Sequence, residues 1–340
     1  MVITPLNEYI AAHGRTILVA DNQGTATARY QLNIKDQYDN ILITQFVTSF
    51  GKIGKFILRG TLGSLLDSYT NPIVDLSPGA TSDINPIDHS KILDFEVIAL
   101  NSQSSSIGDP STLSDIKIHK AVDNKYGDKW GNSDEAFLAL DTVDDIAHRH
   151  VFKNQIIPIS FYTIDTYRNA TLNGSTIATM SNSNGFGVTS YKENSNQDYN
   201  TLEIQGSDEQ LIYTLDSKSY PRAKTLYFLN NYGGWEWYNF IDYEEEERAT
   251  KEIYTVYADD EDTLDIFQQT ESNFTQYKLT GVPLIDTHMG YIKYLITSPI
   301  VLDENGLRVK VIDRNVLTNS EGLLEPNITI QYIDKNNITL

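Results

Sequence analysis

From Thr16 to about Arg59, short apolar runs alternate with polar turn segments: "TILVA", "ARYQLNI" and "ILITQFV" are separated by "DNQG" and "KDQYDN". β-branched and aromatic runs of this length, bounded by Asp, Asn and Gly, predict antiparallel strands joined by hairpins. "GKFILRGTLGSLLDSYT" then shifts toward Leu65, Leu66 and Tyr69, which predicts a strand leading into one helical turn. "NPIVDLSPGATSDINPIDHSK", with three Pro, reads as a long connection. "ILDFEVIAL" reads as a strand, and "NSQSSSIGDPSTLSD" as an exposed, linker-like loop.

Between Ser133 and His150 the period changes. Phe137, Leu140, Val143, Ile146 and Ala147 recur at helical spacing, with Ser133 placed to cap and Asp134 and Glu135 in the first turn, so a helix is expected. "NQIIPISFYTIDTY" returns to strand character, whereas Asn169 to Asn200 is rich in Gly, Ser and Asn and reads as a projecting hairpin or mobile loop. Strands follow at "TLEIQ", "LIYTL", "EIYTVYA" and "FTQYKLTG". A second helix is expected from Pro283 to Thr297, with Leu284, His288, Ile292, Leu295 and Ile296 on one face and Pro299 as its stop. "VLDENGLRVKVIDRN" predicts a hairpin around Asp303 to Gly306, and "NITIQYI" a last strand.

The pattern adds up to a mainly β chain: two antiparallel, sandwich-like modules with two short helical accessories and long loops. The expected division is an N-terminal module over 1–105, a linker and helix over 106–150, and a C-terminal module over 151–340 carrying the loop at about 169–200. A length of 340 residues agrees with more than one core.

The densest apolar segment is "AKTLYFLNNYGGWEWYNFIDYEEEERATKEIY", from Ala223 to Tyr254. If "WEWYNF" pairs with "TLYFL" across "NNYGG", the hairpin is apolar on both faces, so it must lie between sheets or be covered by another subunit. Gly233 and Gly234 are expected to set the turn, with positive φ at one of them. Trp235 and Trp237, alternate residues of a strand, pack one sheet face or stack on sugar rings; Tyr238 and Phe240 fill the other face. Glu244, Glu245, Glu246 and Glu247 follow at once and are expected at the rim of the sheet. There they either discourage edge aggregation or, repeated around a ring, line a lumen.

Composition narrows the chemistry. A net charge of −20 opposes tight binding of nucleic acid through phosphate contacts. The absence of Cys excludes disulfides, Cys-bound zinc and a thiol nucleophile. No phosphate-cradling Gly-rich loop, Gly-x-Ser-x-Gly elbow or His-Glu-x-x-His motif is present, so no enzymatic activity, catalytic residue or cofactor is expected. His148 and His150 either ligate a metal with Asp144 or Asp145, if they lie on a strand, or cap the end of the expected helix. Asp259, Asp260, Glu261, Asp262 and Asp265 offer oxygen ligands without the order of a calcium loop, and a solvated acidic turn is the plainer reading. The N-terminal residues lack the pattern of a secretory signal, and no apolar run reaches ~18 residues, so synthesis in the cytoplasm without a membrane span is expected. Asn169, Asn173, Asn273, Asn327 and Asn337 match the glycosylation pattern, as chance allows in an Asn-rich chain.

At "YFLNNYGGWEWYNF" the chain resembles a group of virion proteins of tailed bacteriophages and prophages of Bacteroidetes hosts, including the crAss-like phages. "ARYQLNIKD" followed by "GKFILRGTLGSLLDSY" resembles the N-terminal sandwich of that group. "GYIKYLITSPIVLDENGLRVKVIDRN" with "NITIQYI" resembles its C-terminal helix, hairpin and last strand. The chain departs from the group at "FGKIGKFILRG", which stands where a Pro-rich stretch is usual. The resemblance implies a structural neck or tail subunit, a ring protein assembling in many copies below the portal and forming part of the DNA conduit. It implies a virion location after assembly in the host cytoplasm. Its expected partners are its own copies and other neck, tail or portal proteins, with genomic DNA only as passing cargo. The alternative is a head- or tail-fibre or carbohydrate-binding surface module that uses Trp235 and Trp237. Tyr227, Leu229, Gly233, Gly234, Trp235, Trp237, Tyr238 and Phe240 are then the expected structural or interface residues.

Overall fold

A computed structural model describes residues 1–6, 9–12, 14, 16–23, 27–50, 52–66, 71–83, 85–87, 90–119, 135–137, 146–163, 168–180, 185–205, 210–230, 233–257, 264–282, 292–318 and 324–333. The chain is mainly β with two short helices, as its pattern predicts. It divides into two compact units: residues 1–149, 153–215 and 229–236 form the first, and 150–152, 216–228 and 237–340 the second.

In the first unit, β1 (Val2–Ile3), β3 (Ile17–Asp21) and β6 (Ile53–Ile57) make an antiparallel sheet in the order β1-β3-β6. A second sheet, in the order β2-β9-β8-β4-β5, is built from β2 (Tyr9–Ala11), β4 (Arg29–Asp36), β5 (Ile41–Thr48), β8 (Ser90–Leu100) and β9 (Ser111–His119). Their shared core holds Leu18, Tyr30, Leu32, Ile34, Phe56, Phe95, Val97 and Ile118, with Leu62 and Leu66 added by α1 (Arg59–Leu65) and the residue after it. Gly54 is required here because a Cβ on it would sit 2.4 Å from the Tyr30 ring. The Tyr30 hydroxyl in turn donates to the Lys52 carbonyl and accepts from the Asn22 N–H at 3.0 Å. Of the hairpins expected from Thr16 to Arg59, that of β4 and β5 across "KDQYDN" is present, as is the strand into α1; β3 does not pair with β4 but with β1 and β6, in a different sheet, so the turn after "TILVA" passes the chain between sheets.

Two further sheets complete this part of the chain. β7 (Asn85–Ile87), β10 (Glu135–Phe137), β12 (Ile156–Thr163) and β15 (Gly185–Lys192) run in the order β10-β12-β15-β7. β11 (Ile146–Phe152), β13 (Arg168–Leu172), β14 (Ser175–Met180), β16 (Tyr199–Ile204) and β17 (Gln210–Asp216) run in the order β11-β17-β16-β13-β14.

The second unit carries most of a six-stranded sheet in the order β21-β18-β19-β20-β23-β22. Its strands are β18 (Lys224–Leu229), β19 (Trp235–Tyr257), β20 (Leu264–Gly281), β21 (Val301–Asp303), β22 (Val309–Thr318) and β23 (Leu324–Tyr332). The hairpin turn at Asp303 to Gly306 is present, with Asp303 N–H donating to Leu307 O at 2.9 Å. Its two strands open toward opposite ends of the sheet order, and the bridge between Leu302 and Arg308 curls the sheet back on itself.

Several expectations are corrected. The helix over Ser133–His150 is not formed where the residues are described: Glu135–Phe137 and Ile146–His150 are strand. Burial in β11 alternates, with Ala147, Arg149 and Val151 inward, and a buried arginine in the middle of that row conceals the period of two. Residues 111–115, expected in a loop, belong to β9. The segment from Asn169 to Asn200, expected as a projecting hairpin or mobile loop, is a hairpin in its first part only. Its first part is the β13–β14 hairpin, turning at Asn173 and Gly174 with φ of 50° and 76°. Its later part includes β15, where Val188, Thr189, Ser190 and Tyr191 are buried. Thr189 donates to the Ser82 carbonyl at 2.7 Å and Ser190 to that of Pro72, so polar side chains that suggest solvent are satisfied by the 71–83 connection. Of the second expected helix, the described part is α2 (Ile292–Thr297), which buries Ile292 and Leu295; Leu284 and His288 lie outside the described residues.

Candidate functional site

The aromatic hairpin forms as its sequence requires. Asn230 N–H donates to Gly234 O at 2.7 Å, Gly233 N–H to Asn230 O at 3.0 Å, and Gly234 N–H to the Asn230 side-chain oxygen at 2.9 Å. Gly233 takes the left-handed conformation at φ 87°, where a Cβ is strained. Tyr227, Leu229, Trp235, Trp237, Tyr238 and Phe240 are all buried, as are Gly233 and Gly234. The expectation of an apolar hairpin that cannot face water holds, and the cover comes from this chain alone. Trp235 and Trp237 are 2% and 1% exposed, so neither ring offers a face to a sugar.

Charge is built into this core. Glu236, between the two tryptophans, meets Arg149 of β11 in a two-pronged pair, Nε to Oε2 at 2.7 Å and Nη2 to Oε1 at 2.8 Å. Both side chains are 1% exposed, and Arg149 also donates to the His148 carbonyl at 2.8 Å. Such a pair gains little over an apolar substitute, but losing one partner strands the other charge. The pair ties β11 to the start of β19, strands that belong to different sheets.

Next along each strand lies a second polar group. The His150 carbonyl accepts from Trp237 Nε1 at 2.9 Å and from Asn239 Nδ2 at 2.9 Å, while Thr225 donates to Asn239 Oδ1 at 2.8 Å. The His150 ring stands 3.3 Å from Asp216 Oδ2, which also accepts from the Tyr220 hydroxyl at 2.9 Å. Burial holds the imidazole below its ordinary pKa, and Asp216 offsets part of that. Burial opposes charge on Asp216, but the Lys218 N–H, the Tyr220 hydroxyl and His150 together bring its pKa below the usual carboxylate value. Phe152 meets the His150 ring edge-on at 5.1 Å and packs on Tyr220, closing the group with apolar surface.

At another point of the six-stranded sheet, Lys224 Nζ lies 5.0 Å from the Tyr243 ring centre and 5.3 Å from that of Tyr277. It donates to the Tyr332 hydroxyl at 3.1 Å, and that hydroxyl donates to Asp303 Oδ2 at 3.0 Å. Burial first, and Asp303 second, push the Tyr332 phenol upward, so it remains a neutral donor. A lysine held among three rings joins β18, β19, β20 and β23 by cation–π attraction and hydrogen bonding.

The acidic run lies along β19, where Glu244 to Glu247 pair with Lys278 to Thr275 of β20. Glu244, Glu245 and Glu247 are exposed; Glu246 is partly covered and lies 3.1 Å from Lys278 Nζ. Beside it, Glu244, Lys278, Thr280, Asp313, Asn327 and Thr329 line an open groove of about 290 Å³. This lining offers hydrogen bonds and charge, with Ile328 as its apolar member. His148 and His150 lie on β11, on one side of the strand, and no group of three or more metal-binding side chains occurs among the described residues. Asp144, Asp145 and Asp259 to Asp262 lie outside the described residues; Asp265 falls in β20. No described helix is long and apolar enough to cross a membrane.

The sequence pattern places the hairpin but does not single out Arg149, Asp216, Tyr220, Lys224 or Tyr332. Two signals were available: Glu236 as the single acid in "WEWYNF", and Arg149 within an otherwise strand-like "IAHRHVF". Comparison with protein-family models and with curated proteins finds no match to this chain.

Proposed function

We propose that the chain is a structural subunit of a tailed-phage virion, a neck or tail ring protein that assembles in many copies below the portal and forms part of the DNA conduit. The observation that carries this reading is the length of β19 and β20. β18 has six residues against the 23 of β19, and β23 meets β20 only from Gln276 to Thr280. Beyond those limits, Glu247–Tyr257 and Leu264–Thr275 pair with each other alone among the described residues. At ~3.3 Å per residue this ribbon reaches about 35 Å past its sheet. A two-stranded ribbon is marginal by itself in water, so a subunit that carries one is suited to assembly.

The hairpin residues that carry the resemblance then serve as the rigid base from which the ribbon springs. Copies of the chain and adjoining virion proteins are its partners. DNA passes without tight binding because Glu244 to Glu247 repel phosphate. The surface-module alternative loses its sugar platform, since both tryptophans are buried.

Labelled antibody raised against the chain, applied to purified virions, tests the location. Labelling confined to the neck or tail is expected, and labelling of fibres or of no particle overturns the reading. Within such virions, replacing Glu244, Glu245, Glu246 and Glu247 with Gln is expected to change genome ejection in a salt-dependent manner. Ejection at wild-type speed at every salt concentration removes the lumen role and leaves that of a protective edge.

A further inference from the structure

β5 stands at one end of its sheet and pairs with β4 alone among the described residues. Natural edge strands are usually blunted by charge, proline or a cover, yet "ILITQFVT" contains no charge and no proline. Ile41, Leu42 and Phe46 are 56%, 39% and 55% exposed, and Phe50 beyond the strand is 90% exposed. Beside it, the outer face of β6 presents Ile53, Lys55 and Ile57.

Charge distinguishes this surface from the rest of the chain. Residues 41–66 contain Lys52, Lys55 and Arg59 and no acid, in a protein of net charge −20. Arg29, on the neighbouring β4, adds a guanidinium 5.3 Å from the Phe46 ring centre. The described ribbon leans the other way: Glu247, Glu252, Asp265 and Glu271 stand against Arg248 and Lys251. Its distal strands read "IYTVY" and "LDIF", apolar in sequence and free at both outer edges among the described residues.

We infer that the basic, apolar β5–β6 surface of one copy receives the acidic β19–β20 ribbon of a second copy, which adds to β5 as a further strand. Strand addition supplies main-chain hydrogen bonds to the open edge, and the exposed Leu42 and Phe46 supply apolar contact. Each copy has one ribbon and one receiving edge, so the contact is head-to-tail and propagates from copy to copy. This deepens the ring-subunit reading: the closure of the chain of copies into a ring rests on that reading, whereas the contact itself is a property of the isolated protein.

Sedimentation of the purified protein over a range of concentrations and salt tests it. The wild type is expected to self-associate, with association weakened by salt. Two variants separate the halves of the contact. K55E/R59E, with F46D added, reverses the receiving surface at exposed positions; a ribbon-shortened chain replaces residues 248–274 with an Asn-Gly turn. Each alone is expected to self-associate at least ~tenfold more weakly. Mixed, they are expected to form a one-to-one complex and nothing larger, because one retains a ribbon and the other an edge. Should the shortened chain fail to fold, K55E/R59E alone still must weaken association. A monomeric wild type, undiminished association of a folded variant, or two folded variants that do not combine overturns the inference. Self-association of this form in a protein that antibody labelling does not find in virions leaves the contact standing and removes the ring reading.

Discussion

The first six residues of β19 and those that follow belong to one strand and meet opposite surroundings. Trp235 to Phe240 are buried without exception, including a glutamate and an asparagine. Glu244, Glu245 and Glu247, four to seven residues later, are exposed. The local backbone is the same; the neighbours are not. In the first stretch every polar atom that enters must bring its partner, which is why Glu236 faces Arg149 and Asn239 faces Thr225 and His150. In the second, water is the partner, and a glutamate costs the fold nothing.

The largest way to break this contrast is to strand a charge. Glu236→Ala is expected to cost about 3–5 kcal/mol because Arg149 is left buried and unpaired. Urea denaturation measures it, and replacing both partners with apolar residues of similar volume is expected to recover most of the loss. Trp237→Ala follows, at about 3–5 kcal/mol for the vacated ring volume plus the lost bond to the His150 carbonyl. Gly233→Val comes next, at about 1–3 kcal/mol, because the left-handed turn position strains a β-branched residue; Gly233→Asn is expected to cost less.

A smaller effect is expected from His150. Its pKa is depressed in the folded chain below the ordinary 6.5, first by burial, so the unfolded chain takes up the proton more readily. The stability it contributes is complete above about pH 6.5 and is lost as pH falls through the folded value. Urea midpoints measured as a function of pH are expected to fall more steeply on acidification in the wild type than in His150→Gln. Asp216, also depressed, adds its loss only at lower pH, below its ordinary 3.8. Smallest of all is the change of Glu244 to Glu247 to Gln, within about 0.5 kcal/mol, as for exposed surface positions. A large loss there would make the acidic run part of the core network and erase the contrast.

The sequence alone determined the β class, the strands from Thr16 to Arg59 with the β4–β5 hairpin among them, and the turn at Asn230 to Gly234. Turn residues and β-branched runs act through neighbours a few positions away, and that information is local. It also determined that the "YFLNNYGGWEWYNF" hairpin had to be covered, because both of its faces are apolar. Only the tertiary structure decided what covered it. Arg149 and Glu236 are 87 residues apart, and nothing short of the assembled strands shows that the arginine in "HRH" is the inward residue of β11. The same holds for Thr189 and Ser190, whose composition suggests a loop until the carbonyls of Ser82 and Pro72 arrive to satisfy them. A polar residue in a strand conceals its period, since the pattern assumes that polar atoms seek water. Burial with a partner satisfies the same hydrogen-bonding requirement from a distant part of the chain.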